Sequence, residues 1–355
     1  MLKKVLSTII NVDISQNQWI QASLPTRMGG LGVRRVSLLA SSAFLASAAG
    51  TRVLQDTILD LPSRLVSEDA EIESAQAMWS SLSACDPPAG AASHAQHSWD
   101  IRVCRSIFDS LLNSQTDEVE KARLLAVPAE HSSDWLHALP LSACGLRLDN
   151  ESLRVSVGLR LGSRLCEPHR CPCGTMVDSR GLHGLACKKS SGRLSRHQYL
   201  NDIIWRAFNK AGVPSVKEPS GLMRSDGKRP DGLTQIPWEM GRLLAWDVTV
   251  TDTLAASYVR LSSATAGAAA EKAADKKAQK YAELAASYAF VPLAFETLGP
   301  MNRSGAEVVR HIGVRTRART GDPREISFLW QRLSMAIQRF NAVCVLATFE
   351  TFLDS

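Results

Sequence analysis

The sequence predicts a layered α/β fold in its C-terminal half, preceded by a cysteine-rich segment and a mainly helical N-terminal region. Short β-like runs cover residues 213–218, 230–237, 243–251 and 289–297, and helices are expected over residues 262–288 and 324–352. Strands that alternate with helices are typical of a sheet covered by helices. The 355 residues are 45% hydrophobic and 21% charged, which excludes disordered and fibrous classes.

The N-terminal half has helical patterns and no visible chemistry. Apolar residues recur at helical spacing in residues 1–84 and 99–165, whereas residues 85–98 combine two prolines with small and polar residues and predict a linker. The apolar stretch 36–50 is short and serine-rich for a membrane span, so no membrane partner is expected. The first residues lack the cleavage site of a secretory signal, and we expect an intracellular, reducing compartment.

Positive charge is concentrated in two stretches of the chain. The net charge is +6, yet residues 160–229 alone carry fourteen Lys and Arg against five Asp and Glu. A second stretch, residues 310–324, carries five arginines and one aspartate. Such concentrations are compatible both with a solvated surface and with a surface that binds a polyanion.

A compact set of cysteines and histidines predicts a zinc knuckle over residues 166–192. Cys171 and Cys173 lie on a turn with Gly174, and His183 and Cys187 follow within seventeen residues of the first cysteine. Four such ligands can close a tetrahedron around zinc, which makes the site structural. The alternative is a group of ordinary buried thiols. Two further side chains could replace one of the four ligands: Cys166 and His169.

Two aspartates predict a second metal site in the C-terminal part. Asp231 follows the polar turn that begins at Asp226 and heads a strand, and Asp247 lies within the apolar run 243–251. In a strand, Asp247 shares one face with Ala245 and Thr249, and the apolar side chains take the other. A carboxylate there is costly unless a cation meets it. Mg²⁺ held jointly by the two aspartates would do so.

The segment that follows supplies candidate cations. Lys277 and Lys280 share a face of the predicted helix 262–288, where they could stabilise the negative charge that develops during phosphodiester cleavage. The alternative is a solvated helix surface on which Glu271 and Asp275 pair with the lysines. Glu296, on the next strand, is either a further metal ligand or a partner of Arg303.

Together these motifs resemble the C-terminal region of site-specific non-LTR retrotransposon polyproteins, in which a zinc knuckle precedes an endonuclease of the PD-(D/E)xK type. The resemblance covers about residues 171–299, and its motifs are the Cys/His set, Arg229-Pro230-Asp231, Asp247 and the run Lys277-x-x-Lys280-Tyr281. Residues 19–33 are also similar to the segment that follows the reverse transcriptase palm. No paired-aspartate polymerase motif is present, so polymerase activity is not expected. The knuckle spacing departs slightly from the usual one, which keeps its ligand set open.

The resemblance implies an α/β restriction-endonuclease-like domain over residues 193–355, with a mixed sheet flanked by helices. It implies structural zinc, catalytic magnesium or manganese, and nicking of a DNA target in the nucleus so that a freed 3′ end primes reverse transcription. Element RNA and a reverse transcriptase are further expected partners. Phosphate contacts are expected from the following basic residues: Lys188, Lys189, Arg193, Arg196 and Arg229.

Two other functions fit the same residues. A non-catalytic remnant of a retroelement would keep the knuckle and the basic surface but would not cut nucleic acid. A zinc-dependent interaction module of the ring or ribbon kind usually needs more ligands than the four well-spaced ones present here. The intact set of Asp231, Asp247 and the two lysines favours the endonuclease.

Overall fold

The structure, a computed structural model, describes residues 1–59, 70–223 and 227–349, and within them the chain is a mixed α/β protein with a small mixed sheet. Asp226 and the end of the helix predicted over 324–352 lie outside these residues. The α-helices of the described residues are α1 (Leu2–Ile10), α2 (Gln16–Ala22), α3 (Val36–Leu59), α4 (Ala70–Ser83), α5 (Gln96–Asn113), α6 (Glu118–Ala126), α7 (Asn150–Leu161), α8 (His183–Ala186), α9 (Ser191–Lys210), α10 (Val259–Ser262), α11 (Ala268–Lys280), α12 (Arg303–Thr320) and α13 (Glu325–Leu346).

The strands of the described residues form a hairpin and a four-stranded sheet. They are β1 (His169–Arg170), β2 (Met176–Val177), β3 (Ser215–Lys217), β4 (Gly232–Thr234), β5 (Leu244–Thr251) and β6 (Ala289–Glu296). The sheet order is β3-β4-β5-β6, with antiparallel pairs except for the parallel pair β5 and β6. All four strands predicted from the sequence are therefore present, and the mixed sheet is confirmed.

The chain divides into two compact units. Residues 15–116 form one unit, and residues 1–14 together with 117–355 form the other. The first unit is helical, and its core includes Trp79 and Trp99, whose rings meet edge to face with centroids 5.0 Å apart. The second unit contains the hairpin, the sheet and their surrounding helices. The domain boundaries proposed from the sequence remain predictions.

Helix α3 extends beyond the apolar stretch 36–50 of the sequence. Its segment Val36–Ile58 spans 23 residues and reaches a mean hydropathy of 1.3 over an 18-residue window, of which 22% is buried. Length and composition alone would allow this helix to cross a membrane, as they do for core helices of many soluble proteins. The expectation that no membrane is a partner therefore remains a prediction.

The alternation predicted for β5 is confirmed and separates the two faces of the sheet. Leu244, Trp246 and Val248 point into a core formed with α9, α12 and α13. The opposite face carries Asp247 and is covered by α11, whose alanines pack on Ala294 of β6. Because α11 lies in the crossover between the parallel strands β5 and β6, the topology brings this helix over the Asp247 side of the sheet.

Helix α11 is shorter than the helix predicted over residues 262–288. It begins after Gly267, whose φ of 81° places it in the left-handed region that favours glycine. It ends at Lys280, because Tyr281 turns inward, buries its ring and donates a hydrogen bond from its hydroxyl to the Arg229 carbonyl at 2.9 Å. A 3-10 turn, Ala282–Ala286, then leads to β6.

Close packing at Gly232 gives a test of this sheet. A Cβ at Gly232 would lie 2.0 Å from the Trp246 ring of the neighbouring strand. We expect Gly232→Ala to lower the free energy of unfolding by about 1–3 kcal/mol, the usual cost of overpacking a core. Gly221→Ala, where a Cβ meets nothing within 4 Å, is the matched control. Equal urea midpoints for the two variants would contradict this packing.

Candidate metal centres

The hairpin and the helix after it bring together the four ligands predicted for zinc. Cys171 and Cys173 lie on the turn between β1 and β2, where Gly174 has a φ of 94°. His183 begins α8 and Cys187 directly follows that helix. The four ligand atoms lie within 4.8 Å of one another. A Cys₃His cluster is thus formed by the fold.

The geometry and the donor set of this cluster fit zinc. A tetrahedral zinc ion about 2.3 Å from two thiolates holds their sulfurs about 3.8 Å apart, and Sγ of Cys171 lies 3.8 Å from Sγ of Cys187. On the other side, Sγ of Cys173 lies 3.1 Å from Nε2 of His183. Hydrogen bonds from Thr175 lower the pKa of the Cys173 thiol to about 6, whereas burial raises the pKa of Cys171 to about 11.

The two side chains considered as alternative zinc ligands, Cys166 and His169, make other contacts. Sγ of Cys166 points to the carbonyl oxygen of Asp178 at 3.4 Å. Nδ1 of His169 lies 2.9 Å from the carbonyl oxygen of Glu167, and the imidazole stacks on Phe349 with ring centroids 4.1 Å apart. Neither side chain replaces a member of the Cys₃His cluster in this fold.

The antiparallel pairing of β4 and β5 places the two predicted aspartates, Asp231 and Asp247, side by side. Gly232 is the partner of Trp246, so that Asp231 and Asp247, one residue further along, face each other across the two strands. Oδ2 of Asp231 accepts a hydrogen bond of 2.6 Å from the backbone N–H of Val248. Burial, and then the nearby charge of Asp231, raise the pKa of the Asp247 carboxyl. The two carboxylates form one candidate site.

A lysine of α11 reaches this site. Nζ of Lys277 donates a hydrogen bond of 2.5 Å to Oδ1 of Asp247, whose side chain is 5% exposed. The alternative of a lysine paired on the helix surface therefore does not describe Lys277. Lys280 lies further out, with Nζ 3.3 Å from the hydroxyl of Tyr281 and 4.7 Å from the centre of its ring.

A histidine that the sequence reasoning missed completes the site. Nε2 of His197, on α9, lies 3.0 Å from Oδ2 of Asp231, and this hydrogen bond raises the pKa of the imidazole. One helical turn later, Asn201 donates to the carbonyl oxygen of Asp231 and accepts from the indole N–H of Trp246. The available signal was this pair of polar side chains at i and i+4, which places both on one face of the helix.

Glu296 is not a member of the carboxylate site, which corrects the prediction of a catalytic role. Its strand partner is Thr251, whereas the partner of Asp247 is Pro292, so that four residues, or about 13 Å of strand, separate the positions. Oε1 of Glu296 instead accepts hydrogen bonds of 3.1 Å from the backbone N–H groups of Ala269 and Ala270. Glu296 therefore anchors the first turn of α11.

The pairing of Glu296 with Arg303 is also wrong. The guanidinium of Arg303 lies 3.5 Å from Glu307, one helical turn further along α12, and its backbone N–H donates to Glu271. Burial raises the pKa of the Glu296 carboxyl, consistent with a side chain that is 0% exposed.

The five predicted phosphate contacts have different environments. Lys188 and Lys189, just before α9, and Arg193, in its first turn, are exposed. Arg229 forms an ion pair with Glu218. Arg196 is 1% exposed and donates to Oδ1 of Asn341 at 2.6 Å, so its guanidinium is part of the core and does not face a nucleic acid. A run of basic residues does not reveal which of them lies on the inner face of a helix.

Zinc content tests the ligand set. We expect Cys187→Ser to lower the bound zinc well below about one ion per chain and to lower the thermal unfolding midpoint, because a structural zinc site stabilises its fold directly. Cys166→Ser is the matched control and should retain the metal, since its sulfur faces the Asp178 carbonyl. Elemental analysis of the purified variants measures both. Equal zinc in the two variants would contradict the ligand set.

Comparisons with protein-family models and with curated proteins return no match for this chain. The chemistry of the two centres is therefore argued from their own residues.

Proposed function

We propose that this chain is the metal-dependent DNA endonuclease module of a non-LTR retrotransposon protein, and that it nicks target DNA for retrotransposition. The observation that carries the proposal is the convergence of Asp231, Asp247 and Lys277 from two paired strands and the helix that covers them. Two carboxylates beside a lysine are the groups that metal-assisted phosphodiester cleavage needs. The order of these motifs after a Cys/His knuckle supports the same proposal.

The donor set of this site suits magnesium or manganese. Carboxylate oxygens are the protein ligands that Mg²⁺ prefers, and two of them leave positions for water and for a phosphate oxygen. Burial and mutual repulsion raise the pKa of Asp247, and a divalent cation between Asp231 and Asp247 would relieve that repulsion. Bound there, the ion would supply a polarised water and a Lewis acid for the phosphate.

Asp231 and Lys277 would then have distinct roles at the site. Asp231 is held in orientation by the Val248 N–H and by His197, so its carboxylate is fixed before any ion binds. Lys277 lies at the open side of Asp247, with 27% of its side chain exposed, and would place its ammonium beside a phosphate at the site. There it would stabilise the negative charge that develops as the bond breaks.

The zinc knuckle lies near enough to this site to bind the same nucleic acid, because one helix joins the two. Cys187 ends the Cys₃His cluster, and α9 begins four residues later and carries His197 to Asp231. The exposed Lys188 and Lys189 lie in the connection, and the exposed Arg193 lies in the first turn of α9. We propose that these three residues contact phosphates of the DNA target or of the element RNA, and that the module works with a reverse transcriptase in the nucleus.

A non-catalytic binding remnant is the second candidate. It is favoured by one observation, since Lys277 pairs with Asp247 and His197 pairs with Asp231. Asp247 therefore has a cationic partner and Asp231 a hydrogen-bond partner from the chain itself, and the fold does not require a metal to hold them. The two functions differ in whether purified protein cuts DNA.

Nicking of supercoiled plasmid with Mg²⁺ or Mn²⁺ tests the proposal. We expect wild-type protein to nick, Asp231→Ala and Asp247→Ala to abolish nicking, and Lys277→Ala to slow it by about 10²–10³-fold, the usual effect of losing one group that stabilises the transition state. The measured quantity is the single-turnover rate of conversion to open circles.

The same helix offers matched controls. Asp275 and Lys276 are exposed on α11 and lie outside the carboxylate site, so Asp275→Ala and Lys276→Ala should nick at nearly the wild-type rate. If wild-type protein binds DNA without nicking it, and the aspartate variants bind equally well, the endonuclease proposal is wrong. The chain is then a non-catalytic binding remnant.

A further inference from the structure

His197 brings a nitrogen atom to the carboxylate site. The histidine lies on α9, whereas Asp231 precedes β4 and Asp247 belongs to β5, so three elements of the fold converge there. Nε2 of His197 lies 3.0 Å from Oδ2 of Asp231, and 33% of the histidine side chain is exposed. This contact fits two roles: a hydrogen bond that orients the aspartate, or a ligand position beside it on a metal ion.

The distance between these two atoms equals the spacing of neighbouring ligands on one octahedral ion. Ligand atoms about 2.1 Å from such an ion, and at right angles to each other, lie about 3.0 Å apart. Because an ionised carboxylate only accepts hydrogen bonds, Nε2 of His197 carries the hydrogen in this contact. An ion that replaced this hydrogen would find Nε2 and Oδ2 already at ligand spacing, with the imidazole hydrogen transferred to Nδ1.

The surroundings of Asp231 hold both atoms at this spacing. Asn201, one turn beyond His197 on α9, donates a hydrogen bond of 3.2 Å to the Asp231 carbonyl oxygen and so ties the helix to the strand. Oδ2 of Asp231 accepts the Val248 N–H at 2.6 Å. A carboxylate has about four lone-pair positions on its two oxygens, so this contact leaves positions for an ion. Contacts of this kind orient metal ligands and raise metal affinity.

Lys277 contacts the other carboxylate of the pair. Its ammonium donates a hydrogen bond of 2.5 Å to Oδ1 of Asp247, whereas Asp231 has the contact with His197. The lysine thus neutralises one carboxylate, and the imidazole faces the other. An ion that binds His197 and Asp231 gains Asp247 as its next ligand once Lys277 moves away.

A nitrogen ligand changes which ion the site prefers. Mg²⁺ is held mainly by carboxylate, carbonyl and water oxygens, whereas imidazole nitrogen is a typical ligand of transition-metal ions. Mn²⁺ accepts the same carboxylate oxygens as Mg²⁺ and, as a transition-metal ion, also binds imidazole. A site of Asp231 and Asp247 alone suits both ions, and the addition of His197 favours Mn²⁺.

We propose that His197 is a third protein ligand of the ion held by Asp231 and Asp247, and that it makes this site prefer Mn²⁺ to Mg²⁺. The inference rests on the carboxylate metal site of the proposed function and names the ion that this site selects. Three protein ligands still leave positions for water and for a phosphate oxygen on an octahedral ion. The metal preference does not require that the chain cuts DNA, so the two proposals are tested separately.

A spectroscopic experiment tests the ligand directly. Mn²⁺ is added to the full chain with zinc bound at the Cys₃His cluster, and electron spin-echo modulation reports whether a nitrogen nucleus is coordinated to the Mn²⁺. We expect nitrogen modulation in wild-type protein and none in His197→Gln, whose amide can still donate a hydrogen bond to Asp231. Asp231→Ala should lose the signal as well, which locates the ion. A wild-type spectrum without nitrogen modulation would overturn the proposal, and this outcome needs no variant.

Calorimetric titrations with Mn²⁺ and with Mg²⁺ separate a ligand from a residue that only orients Asp231. We expect His197→Ala to lower the Mn²⁺ affinity by at least about 10-fold, since the loss of even a residue that supports a ligand costs about 10–100-fold. The Mg²⁺ affinity should fall by a smaller factor, because the lost ligand atom is a nitrogen.

An exposed histidine of the other compact unit provides the matched control. His94→Ala should leave the affinities for both ions unchanged. An equal loss of both affinities in His197→Ala would overturn the proposal, because a residue that only orients Asp231 affects both ions alike. Neither titration involves DNA, so an absence of nicking would contradict the endonuclease and leave this result unchanged.

Discussion

The burial of the Asp247 carboxylate in the central strand is the constraint on which the candidate active site depends. Strand alternation sends Trp246 into the core and Asp247 to the other face, where its side chain is 5% exposed. A carboxylate in that position requires a cation. Lys277 supplies one only if α11 lies over the strand, and Glu296 holds the first turn of α11 while Tyr281 holds its end.

The Cys₃His cluster and the sheet are linked through α9. The helix starts just after Cys187, buries Arg196 against Asn341 of α13, and brings His197 to Asp231. Loss of a metal ion bound at the Cys₃His cluster would therefore loosen the segment that leads into the helix whose His197 contacts Asp231. The Cys₃His cluster thus has a structural connection to the carboxylate site in addition to its proposed contacts with nucleic acid.

Patterns of nearby residues in the sequence predicted those parts of the site that depend on a single turn or a single strand. The spacing of the cysteines and His183 gave the ligand cluster, and the period of two along β5 gave the direction of Asp247. The roles of His197 and Glu296 depend on which elements pack together and in which register. His197 lies 34 residues from Asp231, and only the parallel register of β5 and β6 separates Glu296 from the carboxylate pair. No periodicity in the sequence encodes either relation.

Crystals of the protein soaked in Mn²⁺ would test the central claim, that Asp231 and Asp247 jointly hold one divalent cation. The account predicts an anomalous peak between the two carboxylates, about 2.0–2.2 Å from an oxygen of each, with the ammonium of Lys277 displaced from Asp247. A map with no peak between them, with Lys277 still bound to Asp247 at saturating Mn²⁺, would contradict it.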